Sequence, residues 1–233
     1  MNEKTPETGG GKPASGRLSA GKIVAIAIGV TIVAGAAGIY ARGMLSGNGA
    51  FLASASGGQC AAAIEAGKTL KPLLTGEVAA MANRTEANDL SALSFNDGNG
   101  NPVTLADTAG KPRLVNLWAT WCAPCREEMP ALDRLQAEKG GKDFQVVAIS
   151  VDGGSDEKPR GFFDEIGLEH LGFYHDPSIG AFNTMKKAGL AFGLPVTVLV
   201  DENNCVVANM NGPAHWDSED AYRLIDAVSK PDG

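Results

Sequence analysis

The chain has 233 residues, enough for one domain with extensions or for two small domains. Its apolar content (44%) and charged content (20%) are those of an ordinary globular protein. The first 42 residues hold five basic and two acidic groups; the rest, with 15 basic and 25 acidic, carries a net charge of −10. That balance, with no basic patch interleaved with aromatics, argues against nucleic acid as a partner.

Residues 1–22 are rich in Gly, Pro, Ser and charge and read as a disordered tail on the cytoplasmic side. Residues 23–41, IVAIAIGVTIVAGAAGIYA, hold no charge. As a helix they would span roughly 28 Å, close to the hydrocarbon thickness of a bilayer. Lys4, Lys12, Arg17 and Lys22 precede the run and only Arg42 follows closely. The positive flank predicts a single-pass anchor with its N-terminus in the cytoplasm and the folded part outside. The rival is a cleaved signal peptide, with Ala34-Gly35-Ala36 as a small-x-small site, although the run exceeds the usual signal core of ~7–15 residues. Both readings place the folded part in an oxidising compartment.

Residues 42–58 read as a linker and 59–233 as the folded domain, opening with a helical extension over 59–92. Ile64, Leu70, Leu73, Leu74, Val78 and Met81 fall at roughly helical spacing, which Pro72 should bend or divide. Leu93–Leu105 reads as a hairpin turning through Asn96-Asp97-Gly98-Asn99-Gly100-Asn101. Strands are expected over 113–118, 144–151, 173–175 and 196–200, with a last strand starting at Cys205. Helices are expected over 126–139, 157–166, 177–185 and 217–228, the last capped by Asp217 with Asp220 at the capping-box position. This order describes an α/β sandwich with a mixed sheet, antiparallel at its C-terminal hairpin.

Trp121-Cys122-Ala123-Pro124-Cys125 stands between a buried strand and the first turn of a helix. Amide groups without intrahelical acceptors and the helix dipole favour a thiolate there, so Cys122 reads as a lowered-pKa nucleophile. It can attack a disulfide, and Cys125 can resolve the mixed disulfide. Pro124 costs no hydrogen bond in a first turn. Two further cysteines remain, Cys60 and Cys205. In an exported domain they are expected to pair as a structural disulfide, against the alternatives of two buried free thiols or a second exchange pair. A zinc site needs four ligands, and His170, His175 and His215 lack finger spacing, so no metal is expected. His175 receives no role.

Four features together resemble thioredoxin-fold proteins, and within them the TlpA-like membrane-anchored branch. They are Trp118-Ala119-Thr120-Trp121-Cys122-Ala123-Pro124-Cys125; Pro130, five residues after the second cysteine; Gly193-Leu194-Pro195-Val196-Thr197; and some twenty residues between Val151 and Phe173 that match an extra helical segment. The resemblance covers about 93–228 and implies a thioredoxin fold with an N-terminal extension and that helical insertion. It also implies a cis peptide before Pro195, with Leu194 pairing an extended substrate strand, and a partner-contacting role for Trp121. Trp118 is read as core. Plain thioredoxin carries a buried Asp six residues before the first cysteine, where this chain has Asn116. The branch instead places a Glu at the position of Glu128, so the resemblance makes Glu128 the candidate proton acceptor. The alternative is a first-turn Glu that only complements the helix dipole.

The resemblance implies an enzyme that exchanges dithiol for disulfide with no cofactor beyond the Cys122–Cys125 pair. The Ala-Pro dipeptide lacks a thiolate-stabilising polar residue such as His, which favours a reductase. Its expected partners are disulfide-bearing proteins of cytochrome c or cytochrome oxidase assembly and a membrane-embedded thiol donor, since no nucleotide motif is present. The chain is read as a monomer. Alternatives are a disulfide-forming oxidase, or a non-catalytic copper-binding or chaperone module using the two thiolates as soft ligands. A peroxidase shares the fold but uses a differently placed cysteine.

Overall fold

The computed structural model describes residue 58 and residues 60–229. The expected tail, the apolar run over 23–41 and most of the linker lie outside the described residues. Among those described, no helix is long and apolar enough to cross a membrane.

Three strands form the middle of the sheet, and they are the most apolar segments of the domain. All six residues of Arg113–Trp118 and all five of Val196–Val200 are buried, as are five of six in Gln145–Ser150. Strands that read as continuous apolar runs are those covered on both faces, and helices supply that cover here. In chain order the strands are β1 (Ala82–Asn83), β2 (Ser94–Asn96), β3 (Pro102–Thr104), β4 (Arg113–Trp118), β5 (Gln145–Ser150), β6 (Tyr174–His175), β7 (Val196–Val200) and β8 (Val206–Asn211). They form one sheet of order β1-β8-β7-β4-β5-β6-β2-β3. Strand β4 runs parallel to β5 and β5 to β6; the remaining pairs are antiparallel. This is the expected thioredoxin-like α/β architecture.

The helices are α1 (Ala61–Leu70), α2 (Ala123–Lys139), α3 (Glu157–Ile166), α4 (Gly180–Lys187) and α5 (Glu219–Ser229). Pro72 divides the extension as expected: α1 stops at Leu70, and a short 3-10 turn over Lys71–Leu73 carries the proline in its first turn. Helix α1 packs against β8 through Gly67, where a Cβ would lie 2.7 Å from the Val207 carbonyl oxygen. Glycine costs such a helix about 1 kcal/mol against alanine; the close approach is what it permits. The hairpin at 93–105 forms with Phe95 opposite Val103, and Asp97 closes its turn by accepting from the Asn99 and Asn101 amides.

Two helix starts differ from expectation. Helix α4 begins at Gly180, so Pro177 lies outside it; Asp176 accepts from the Ala181 amide and Ser178 from the Gly180 amide, which makes a polar turn of the preceding residues. Helix α5 begins at Glu219. Ser218 Oγ accepts from the Ala221 amide, while Asp217 is drawn away to Arg134 Nε at 2.7 Å. Either residue type can cap, and the salt bridge took Asp217.

Register positions the site. Leu117 stands opposite Val196, Val196 opposite Asn211, and Trp118 opposite Ser150. The loops after β4, β5 and β8 and the loop before β7 therefore leave the sheet at one edge. Beneath them Trp118, fully buried, packs on Phe162 and Phe163 of α3 with centroids 5.4 and 5.7 Å away.

Candidate active site

Cys122 is the N-cap of α2, with extended backbone, and its Sγ accepts from the Cys125 amide at 3.3 Å. The two cysteines are joined as a disulfide. Their sulfurs thus sit where amide donors and the positive end of the helix converge, the environment that favours a thiolate once the bond is reduced. Cys122 is the more accessible of the two, but only slightly: it is 6% exposed and Cys125 is 0%. The loop ahead of it folds back, with the Cys122 amide donating to the Ala119 carbonyl, and Trp121 takes the exposed position at 69%.

That loop is pinned from β5. Thr120 donates to Asp152 through both its amide and its hydroxyl, and Ser150 Oγ donates to the same carboxylate at 2.8 Å. His175 Nε2 lies 2.8 Å from the Asp152 carbonyl oxygen. His175 is therefore not the ordinary surface residue it resembles in sequence; it is buried beneath the loop that supports the cysteine turn. Neither Asp152 nor His175 stands out in the sequence, because their meeting depends on β5 and β6 lying side by side.

The peptide bond between Leu194 and Pro195 is cis. Pro195 is buried and Leu194 half-buried, and the Pro195 carbonyl accepts from the Gly212 amide at 2.9 Å. The segment before them is held by two asparagines of β8. Asn209 and Asn211 both donate to the Leu190 carbonyl, and Asn211 Oδ1 accepts from the Phe192 amide at 2.8 Å. This clamp carries Phe192, a residue 81% exposed. Sequence reasoning passed over Phe192; a lone aromatic beside Leu194-Pro195 carries no periodicity that marks it as exposed.

Glu128 is not the solvated first-turn residue of the alternative reading. It is 3% exposed, and its carboxylate receives three donors: Asn116 Nδ2 to Oε1 at 2.8 Å, and Ala214 N and Trp216 Nε1 to Oε2, each at 3.1 Å. Burial pushes its pKa up to about 7, against the pull of those hydrogen bonds, each of which favours the ionised form. A cleft of about 220 Å³ lined by Glu77, Glu127, Pro213, Ala214 and His215 reaches Glu128 from the side of the N-terminal extension. The Trp216 and Ala214 contacts had no sequence signal, since both lie more than eighty residues away.

Cys60 and Cys205 are bonded to each other, both buried, and tie the start of α1 to the residue before β8. Among the described residues, no group of three or more His, Cys, Asp or Glu side chains is arranged to hold a metal ion.

A buried cysteine pair at a helix start, beside a cis-proline loop on a mixed sheet, defines a thioredoxin-type dithiol/disulfide protein. The chain belongs to the Redoxin family, whose pattern it matches over residues 82–225. Among curated proteins it is similar to the thioredoxin-like protein YneN of Bacillus subtilis, with 36% identity over 110 residues, 46% of this chain and 60% of that protein. It is similar to the thiol-disulfide oxidoreductase ResA of Oceanobacillus iheyensis at 33% identity, covering 52% of this chain and 59% of ResA. It is also similar to the thiol:disulfide interchange protein DsbE of Pseudomonas fluorescens at 34% identity, covering 45% and 53%. The matched stretch thus spans less than two thirds of these relatives. Among solved structures, a putative thiol:disulfide interchange protein DsbE from Chlorobium tepidum superposes with a TM-score of 0.52 at 27% identity, covering 61% of this chain and 96% of that one.

Proposed function

We propose that this chain is a protein thiol:disulfide oxidoreductase that works as a reductase. The observation that carries the reading is Cys122 at the N-cap of α2, its sulfur accepting an amide proton, with Cys125 closed off one turn behind it. In the dithiol form the Cys122 thiolate attacks a disulfide of a protein substrate. A Cys122–substrate bond forms, the substrate S–S bond breaks, and the departing sulfur leaves as a thiolate that takes a proton from water. Cys125 then loses its proton to Glu128, attacks the Cys122 sulfur and releases the second substrate thiolate. Two electrons have passed to the substrate, and Cys122–Cys125 is a disulfide again. Glu128 suits that task, because a carboxylate titrating near neutrality accepts and returns a proton readily.

Trp121 and the Leu194–Pro195 loop supply the contact surface, Leu194 offering backbone to an extended segment of substrate. The names of the relatives, thiol-disulfide oxidoreductase and interchange protein, support the activity. Resemblance to the TlpA-like branch supports a finer reading: a protein anchored by residues 23–41, with its catalytic domain in the periplasm, drawing electrons from a membrane-embedded thiol carrier. Its substrates would be proteins of cytochrome c or cytochrome oxidase assembly, whose cofactors need free thiols. The Cys60–Cys205 bond agrees with an oxidising compartment.

Capture with Cys125→Ser tests the reading. Expressed in cells, the variant should hold a small set of envelope proteins as mixed disulfides released by reductant. Recovery of no such adducts, or of an indiscriminate envelope population, would overturn it.

A further inference from the structure

The hydrogen bonds around Glu128 all run one way. Ala214 N and Trp216 Nε1 both donate to Oε2, and neither group can accept. A proton on Oε2 would face two N–H groups and find no partner. Oε1 differs. Its donor is the Asn116 side-chain amide, at 2.8 Å, and that amide holds an acceptor in reserve: Asn116 Oδ1 is buried with no hydrogen bond. Leaving a buried polar atom unpartnered is costly, so this one calls for an explanation. Asn116 Nδ2 also donates to Thr197 Oγ1 at 3.0 Å. A hydroxyl can accept from Nδ2 or, rotated, donate to Oδ1.

We propose that Asn116 is a reversible positioning residue for Glu128: it presents Nδ2 to Oε1 of the carboxylate and turns to present Oδ1 when Oε1 carries a proton, with the Thr197 hydroxyl as pivot. In the ionised state Nδ2 serves both Glu128 and Thr197 and leaves Oδ1 orphaned. In the protonated state Oδ1 accepts from the Glu128 hydroxyl and from Thr197, and the orphan becomes the NH2 group. One unpartnered group remains in each state, so neither orientation locks the carboxyl into one charge. An aspartate at position 116 would repel the ionised carboxylate, and an aliphatic residue would offer nothing to either form.

The other groups facing Glu128 do not do this. Asn116 on β4 and Thr197 on β7 bear no charge. The ionisable groups sharing its cleft are Glu127 of α2, Glu77 of the N-terminal extension and His215 of the loop before α5. None of these hydrogen-bonds to Oε1, whose partner is Asn116.

The inference rests on the reading of Glu128 as the proton acceptor, and one experiment separates the two. In the full-length, isotope-labelled oxidised protein, the Glu128 carboxyl carbon and the Asn116 side-chain NH2 signals are followed by NMR from about pH 4 to about pH 10. Both should shift with one shared midpoint. In Glu128→Gln the Asn116 signals should not move with pH. In Thr197→Val the shared midpoint should move by about half a pH unit or more, and Thr197→Ser should restore it, which a merely space-filling threonine would not require. If the Glu128 carbon titrates while Asn116 stays fixed, or if Thr197→Val leaves the midpoint in place, the reversible amide is overturned and the catalytic reading stands. If the Glu128 carbon shows no transition, both fall.

Discussion

Burial and hydrogen bonding pull on Glu128 in opposite directions, and burial prevails. The consequence for stability has a definite sign. A carboxyl whose folded pKa is raised keeps its proton in the folded protein after the unfolded chain has lost it. Stability contributed by this group is therefore complete below the ordinary value of 4.5, falls as pH rises toward about 7, and is lost above it. A shift of that size corresponds to something on the order of 3 kcal/mol. Glu128→Gln should remove the decline, so that the variant gains on the parent protein as pH rises through this window; urea unfolding at several pH values measures it. A parallel decline in both proteins would show that Glu128 is not its source.

At the scale of elements, the site is four loops held at one edge of the sheet and fastened by side chains of neighbouring strands, of α2 and of the loops themselves. Asn211 and Asn209 fasten the cis-proline loop from β8, which is why Phe192 can stand out from a rigid backbone. A ring exposed beside Leu194–Pro195 is where a bound protein substrate would cover it. Phe192→Ala should lower kcat/KM for protein disulfides severalfold while leaving reaction with a small linear disulfide unchanged; insulin and oxidised glutathione serve as the two substrates. Equal loss with both would assign Phe192 to the fold instead. The elements themselves were legible from the sequence where patterning was strong. The strands at 113–118 and 196–200 are dominated by apolar residues, and Pro72 and Asn96–Asn101 punctuate the chain by local sterics. Helix starts were less legible, because Asp217, Ser218, Asp176 and Ser178 are all competent caps and tertiary partners choose among them.

For the molecule as a whole, the Cys60–Cys205 bond closes a span of 145 residues and holds the N-terminal extension against the thioredoxin-like core. On the chain-entropy account, a loop of that length stabilises by about 4–5 kcal/mol, an upper figure. Replacing both cysteines by serine should lower the stability by about 4 kcal/mol or somewhat less, read as a clearly lower unfolding midpoint, while the Cys122–Cys125 disulfide still forms. An unchanged midpoint would make the bond incidental. The cysteine pair of the site was legible because its chemistry is written in adjacent residues. The surroundings of Glu128 were not. Trp216 lies 88 residues away and Thr197 lies 81 from Asn116; only the register of β4 on β7 and the placing of the loop before α5 bring them together. His175 was missed for the same reason: nothing local distinguishes a buried histidine under a loop from one on the surface.

The account depends on the Cys122 sulfur of the reduced protein being held as an anion by the start of α2. Its alkylation rate measured against pH, with Cys125→Ser to isolate the one thiol, tests this most directly. Cys122 should react markedly faster below neutrality than a cysteine in an unstructured peptide, its rate levelling off at lower pH. A rate that follows the unstructured peptide across the whole range would contradict the account.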